Sequence, residues 1–557
     1  MLKKENKGIT LVALVITIII LLILATISIQ SLTNTGLFAK AQEAKEKTQN
    51  AEENQARTLN EYEDELNKYV SDNKDKTDWT GKVNKPKLMA GMAAIKFTDP
   101  TGDEKANEGS VVKTTDTDTA WYDYDAKKWA NAQTQDGSMW VWIPRFAYKV
   151  NSSTQTFDVV FLKDTTNTYL DNGTEKDAEK EGYIVHSAFK NESSTGYENG
   201  GWDKDLTGIW VSKFEAGFAS GNNSATVKES SVKYTQASAL VSGSELGSSD
   251  NTSTARNFLD GEYGVKSGSD YTFKDGTAPS IKYPTFQGLT YSMNYINQND
   301  AFNISKTLTE SGNIYGLSSS STDSHMMKNS EWGAVAYLSQ SKYGLNGTNI
   351  YINNVNLNNT TKSVYAVTGC AGVTADAENV ATTITELNNR TASGVYVWTQ
   401  KSGTKASTTG TIYGIYDMSG GTWERTAGLV NNGNENLTKY GQSLMNALNN
   451  GKSSKYVTVY PHDSSVDKTG ANIDTASAAN WKANTKIYGD GIRETSTAGT
   501  GKTSWHTDYS YFPAVYGPFS IRSGDLWGGE GAGLFDFHRV SGNSSFNNGF
   551  RSVLVTQ

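Results

Sequence analysis

The residues best suited to do chemistry lie near the end of this 557-residue chain. Asp525, Leu526, Trp527 and Glu530 are followed by Asp536, Phe537, His538 and Arg539, and then by Ser544 and Phe546. They stand in a frame of small residues: Gly528-Gly529, Gly531-Ala532-Gly533 and Ser541-Gly542-Asn543. Large aromatic, basic and acidic side chains in such a frame suit binding. Rigid rings and arginine dominate protein-binding hot spots, and small adaptable residues around them are typical of a paratope. The competing reading is structural, with Trp527, Phe535 and Phe537 packing a core.

Catalytic chemistry finds less support. Cys370 is the sole cysteine, so no internal disulfide or thiol pair exists, and it reads as a small buried hydrophobe. His186, His325, His462, His506 and His538 are scattered, with no HExxH and no zinc-ligand spacing. No G-x-S-x-G elbow occurs. Gly499-Thr500-Gly501-Lys502-Thr503 superficially resembles a phosphate loop, but Ser496 stands where its first glycine belongs and no strand precedes it. No cofactor is expected. The Asp/Asn-rich loops leave room for structural calcium, although carboxylate-rich loops are more often merely solvated.

The elements that position these residues follow from composition and pattern. Hydrophobic residues make up only 36%, yet Trp 13, Tyr 29 and Phe 18 provide large packing units, with 52 Gly and only 8 Pro. That balance suits a loop-rich, aromatic-cored β or mixed protein and excludes disorder, which is poor in aromatics. A net charge of −8 argues against nucleic acid as a partner.

At the other end, Ile9–Ile29 carries no charge and, at about 1.5 Å per residue, spans roughly 31 Å, the thickness of a bilayer core. Lys3, Lys4 and Lys7 precede it, so the expectation is a single span with the bulk of the chain outside the cell. Leu37, Ala41, Ala44, Thr48, Ala51, Gln55, Leu59, Tyr62, Leu66 and Tyr69 then recur at steps of four and three, predicting a helical stalk over 30–75. From Lys85 the pattern changes to short runs separated by turn residues, Met92–Phe97, Val111–Thr114 and Ala120–Tyr124, with alternating aromatics over Trp121–Trp129 that suggest a hairpin. Met139–Phe146 and Gly208–Ala216 read as strong apolar strands, and Lys328–Ser341 as a helix with Trp332, Val335, Ala336 and Leu338 inward. Polar stretches near 220–277 and 431–503 read as surface insertions.

Two resemblances add to this reading. The basic leader ending in Lys7-Gly8 before an apolar run resembles a type IV prepilin signal, which implies cleavage between Gly8 and Ile9 with the hydrophobic segment retained. Ala13 stands where that family usually carries the Glu that helps subunits enter a filament.

The second resemblance is carried by three stretches. Gly414-Ile415-Tyr416-Asp417-Met418-Ser419-Gly420-Gly421-Thr422-Trp423-Glu424-Arg425-Thr426 resembles the GLYDMSGNVWEWT signature of formylglycine-generating-enzyme-like domains. Lys328-Asn329-Ser330-Glu331-Trp332-Gly333-Ala334-Val335 resembles the LPTEAEWEYA helix, and Ser520–Gly524 with Gly549–Leu554 the RGGSW…GFR close. In these motifs Trp332 and Trp423 read as rigid core plugs, and Glu331, Glu424, Arg522 and Arg551 as candidates for buried ion pairs. The family's oxidase chemistry needs paired copper-binding thiols, which Cys370 alone cannot supply, so no enzyme is expected. The C-terminal stretch further resembles the variable region of proteins diversified by retroelements.

The resemblance implies an α+β fold class. A leader (1–8), a transmembrane helix (9–29), a helical stalk (30–75) and a small β-rich region (76–137) precede a C-type-lectin-like domain of the formylglycine-generating-enzyme type with long irregular loops (138–557). The function expected is that of a pilin-like bacterial cell-surface protein, anchored in the membrane through 9–29. Its C-terminal face binds an external protein or cell-surface glycan. The alternative is a minor pilin that partners pilin-like subunits in a structural role.

Overall fold

The run Met139–Pro144 forms the expected strand and is buried along its whole length. It pairs antiparallel with Gly208–Ser212, Trp142 opposite Trp210, their rings 5.3 Å apart. Side chains alternate across a strand, and here the alternation sorts by type. Trp140, Trp142 and Trp210 enter one hydrophobic cluster, while Val141, Ile143, Ile209 and Val211 enter another on the opposite face. A sheet covered on both faces reads as a continuous apolar run.

In the computed structural model the described residues are 80–217 and 284–557, apart from 291, 295, 357–365, 469–471, 486, 544 and 546, together with the backbone of the hairpin Gly264–Ser267 and Asp270–Phe273. The central sheet has seven strands in the order Thr322–Met326, Ser552–Thr556, Gly208–Ser212, Met139–Pro144, Asn131–Thr134, Met92–Phe97 and Val111–Lys113. Strands from 76–137 thus share one sheet with the strands that follow. Trp121 and Trp129 are fully buried, and Asp123 bridges Lys128 between them.

A second sheet carries the C-terminal hairpin. Trp423–Val430 pairs antiparallel with Phe519–Ser523, which pairs with Gly533–Val540; Thr458–Tyr460 and Asn548–Phe550 lie parallel to Trp423–Val430. The helix Asn329–Ser339 is buried throughout. Glu331 accepts the Lys328 N–H at 2.9 Å and the His325 Nε2 contact at 2.9 Å, and Asp323 meets His325 Nδ1 at 3.2 Å. Burial works against a charged imidazole, but the two carboxylates outweigh it and hold His325 above its ordinary pKa.

The expected α+β class is overturned. The described residues are dominated by sheet, and the longest α-helices among them, such as Asn329–Ser339, Asn436–Asn446 and Ile473–Ala483, have 11 residues each. No helix among them is long and apolar enough to cross a membrane. The leader, residues 9–29, the stalk at 30–75 and most of 220–277 lie outside the described residues. The expectation came from the resemblance and from the helices expected over 9–75. The stretch 431–503, read as a polar surface insertion, supplies two of the helices and the strand Thr458–Tyr460.

Arg551 joins the two sheets, standing between Asn548–Phe550 of one and Ser552–Thr556 of the other. Its Nε donates to Glu424 Oε2 at 2.6 Å, Nη2 donates to Glu424 Oε1 and to the Tyr416 carbonyl, and Nη1 donates to the Ser212 carbonyl at 3.0 Å. Removing one partner of a buried pair strands the other charge. Arg551→Met is expected to destabilise the protein by about 3–5 kcal/mol, read by chemical denaturation. Arg551→Lys recovers little, because an ammonium cannot reproduce the forked contact.

Candidate recognition surface

The hairpin Phe519–Ser523/Gly533–Val540 places the C-terminal candidates, with Ile521 opposite His538 and Arg522 opposite Phe537. On its other edge the segment 509–511 runs beside the second strand. The Phe537 N–H donates to the Tyr509 carbonyl at 3.0 Å, and the Tyr511 N–H donates to the Phe537 carbonyl at 2.8 Å.

Alternation then divides the candidates. Phe535 and Phe537 turn inward, Phe535 against Trp505 and Phe537 into a cluster with Phe512, Tyr460, Trp481 and Ile492. Leu526 packs on Ala366. Leu526, Asp536 and Phe537 are each 0% exposed, which removes them from the contact surface expected of them. Asp525 is nearly buried, and burial raises its pKa. Its carboxylate accepts the Trp527 N–H at 3.1 Å and the Asn547 amide at 2.8 Å, so it shapes the loop rather than presenting itself. Trp527, Glu530, His538 and Arg539 reach the surface. Ser544 and Phe546 lie outside the described residues.

Around these four the structure adds residues that sequence reasoning missed. The His538 ring lies 5.2 Å from Trp423 and 4.6 Å from Tyr511, and Tyr511 lies 6.0 Å from Tyr509. The Arg539 guanidinium sits 4.9 Å over Tyr511, and Lys502 5.2 Å over Tyr509. Lys502 pairs with Glu530 at 2.5 Å, and Arg539 with Asp474 at 2.7 Å. The result is a run of half-exposed rings, Trp423–His538–Tyr511–Tyr509, edged by two cations and two acids. Trp423, read as a core plug, is only partly buried. Tyr509-Ser510-Tyr511 carried a usable signal: two aromatics two residues apart share one face of an extended segment. A depression of about 820 Å³, lined by Asp474, Thr475, Ala478, Lys482 and Thr500, adjoins Asp474.

The remaining reactive side chains lie elsewhere. Cys370 is buried, and its thiol is pushed well above its ordinary pKa by burial and then by Asp417. A thiol held protonated is a poor nucleophile. Among the described residues no group of three or more His, Cys, Asp or Glu is placed to hold a metal ion.

No family model matches the chain, and no curated protein matches it.

Burial pushes the His538 imidazole down to about 4 from its ordinary value near 6.5, with the Arg539 N–H donating to Nδ1 at 3.0 Å. The folded state therefore prefers neutral His538. Its contribution to stability is complete above the unfolded value and is lost as pH falls toward the folded one. NMR titration of the imidazole is expected to find no protonation at pH 5–6. Trp423→Ala, which admits water beside the ring, is expected to shift the midpoint back toward 6.5.

Proposed function

We propose that this chain is a recognition protein displayed at the outside of a bacterial cell membrane. It binds an external protein or cell-surface glycan through Trp527, Glu530, His538 and Arg539 together with Trp423, Tyr509, Tyr511 and Lys502. The observation that carries the reading is the run of half-exposed rings flanked by paired charges on one edge of a firmly packed hairpin. Aromatic rings bury large area for little conformational entropy, and cations over ring faces add specificity. The surface is broad and mixed, which suits a macromolecular or glycan face better than a small metabolite. Display is supported by the uncharged run Ile9–Ile29 behind Lys3, Lys4 and Lys7, through which the chain is anchored at the membrane.

Diversification of this surface by a retroelement is part of the proposal and is tested by comparing the coding sequence for 520–557 across sibling cells and nearby DNA. The expected result is a near-identical template copy differing at adenines, with changes at Trp527, Glu530, His538 and Arg539 and none at Leu526, Phe535 or Phe537. Invariant codons throughout overturn the diversification. Independently, cells displaying the Trp527→Ala/Arg539→Ala chain are expected to adhere to their target cells about tenfold less tightly, roughly 1.4 kcal/mol. Unchanged adherence overturns the assignment of the surface.

A further inference from the structure

The loop 489–494 turns two acids into the protein, and among the described residues neither carboxylate accepts a hydrogen bond from a cation. Asp490 is 1% exposed; its Oδ1 accepts the Ile492 N–H at 2.9 Å, and its Oδ2 has no partner. Glu494 Oε1 accepts the Gly489 N–H at 2.6 Å and the Tyr148 hydroxyl at 3.0 Å, while its enclosed Oε2 has no partner. The other groups facing the pair are Tyr337, Tyr460, His186 and Arg522. His186 is held neutral, since burial lowers its imidazole to about 3. Arg522 Nη1 donates at 2.9 Å to the Asp490 carbonyl rather than to the carboxylate, and its field is drawn on by Asp508 and Asp536 as well. Burial and then the charge of Glu494 push Asp490 up to about 7, and burial raises Glu494.

The same loop is a joint between elements. A Cβ at Gly333 would stand 2.0 Å from the Gly489 carbonyl oxygen and 3.0 Å from Asp490 Cα, so the loop lies directly on the helix Asn329–Ser339. The Gly491 N–H donates to the Tyr337 hydroxyl of that helix at 2.9 Å. The Ser187 hydroxyl donates to the Tyr488 carbonyl at 3.2 Å, and Arg522 brings in the strand Phe519–Ser523. All of these bonds use main-chain groups of the loop or its flank. They last only while the two acids let that main chain stay where it is.

A neutral carboxyl tolerates burial, whereas an ionised one requires a partner or solvent. Solvent is close, because Tyr488 at the loop's entrance is 49% exposed. We propose that the loop 489–494 is a proton-operated clasp, which holds the helix Asn329–Ser339 and the strand Phe519–Ser523 while Asp490 and Glu494 are protonated and lets go as they ionise. The raised carboxyls set the direction: the clasp's contribution is complete below the ordinary carboxylate range and is lost as pH rises through about 7. Arg522 stands opposite Phe537, so release loosens the hairpin. The effect on recognition rests on the binding reading above; the clasp itself does not.

Hydrogen exchange of the full chain checks this, read by mass spectrometry over 488–495 and over Met139–Pro144 between about pH 6 and pH 9, with intrinsic rates corrected. Protection over 488–495 is expected to fall about tenfold per pH unit above 7 for each carboxyl that ionises, while Met139–Pro144 does not follow it. Asp490→Asn/Glu494→Gln is neutral at every pH and is expected to keep its protection throughout. Flat protection in the wild type overturns the clasp, as does a fall that the double variant leaves unchanged. A fall matched over Met139–Pro144 also overturns it, because the whole molecule is then unfolding. The wild-type profile alone decides the first and third outcomes, whether or not the double variant folds.

Discussion

The guanidinium of Arg551 is the interaction on which the rest of the structure depends. The chain leaves one sheet at Phe550 and enters the other at Ser552, so a single residue separates two different layers. Side chains of consecutive strand residues point to opposite faces, and a polar junction between two apolar layers has to be satisfied internally. Arg551 does this with a fork on Glu424 and carbonyl bonds to Ser212 and Tyr416, which draw together the strand Gly208–Ser212 and the stretch Gly414–Thr426. Burial acts against its charge, but Glu424 outweighs burial and holds the guanidinium protonated. The guanidinium carbons of Arg551 and Arg522 lie 5.8 and 5.5 Å from the Trp332 ring centroid, so the buried helix Asn329–Ser339 touches the same device.

Around that junction the buried charges are handled by saturation rather than by pairing. Glu215 accepts from the Ser292 and Thr422 hydroxyls and from the Thr422 N–H, and Asp417 accepts from the Gly369 N–H and the Asn353 amide. Lys213 donates to Asn131 Oδ1 at 3.0 Å and to the Ile412 and Gly414 carbonyls at 2.7 and 2.8 Å. Burial alone pushes its amine well below the ordinary value. A fully satisfied network specifies one arrangement of irregular chain, since any other arrangement orphans a donor. Extended loop segments with little regular structure can therefore stand as firmly as the sheets.

This explains what was legible in the sequence. Strong apolar runs such as Met139–Pro144 and the aromatic helix around Trp332 announced themselves, because hydrophobic pattern and burial are directly linked. Arg551, Glu424, Glu331 and Arg522 were recognisable as candidates for buried ion pairs, but not their partners: Arg551 meets Glu424, Glu331 meets His325 and Lys328, and Arg522 donates to the Asp490 and Leu534 carbonyls. The face of the C-terminal strand was not legible. Asp536-Phe537-His538-Arg539 is a run of large residues without a polar/apolar alternation, and nothing in it says which side meets water. Only the register against Phe519–Ser523 and the flanking segment 509–511 decides that Phe537 is core and His538 is surface. Trp423 failed for a related reason: it begins its strand, where the covering layer ends. The fold class failed because it was carried over from the resemblance and from helices expected over 9–75, whereas the described chain is mostly sheet and its helices include two in a stretch whose Asn, Ser and Thr content suggested loops.

One strand thus carries two duties that its alternation keeps apart. Phe535 and Phe537 bind the hairpin to two different hydrophobic clusters, so its backbone position is over-determined from below. On the other side, His538 contributes to the ring surface, and substitution there alters contacts without touching the core. The same division holds in the loop, where Leu526 and Asp525 are engaged inward while Trp527 and Glu530 face out. A surface built this way tolerates change at the exposed positions because the energy that holds the strand in place comes from the residues turned toward the core. Surface contacts and core packing are separable here at the level of single neighbouring residues. That separation is the physical requirement for a surface whose sequence can vary while its fold does not.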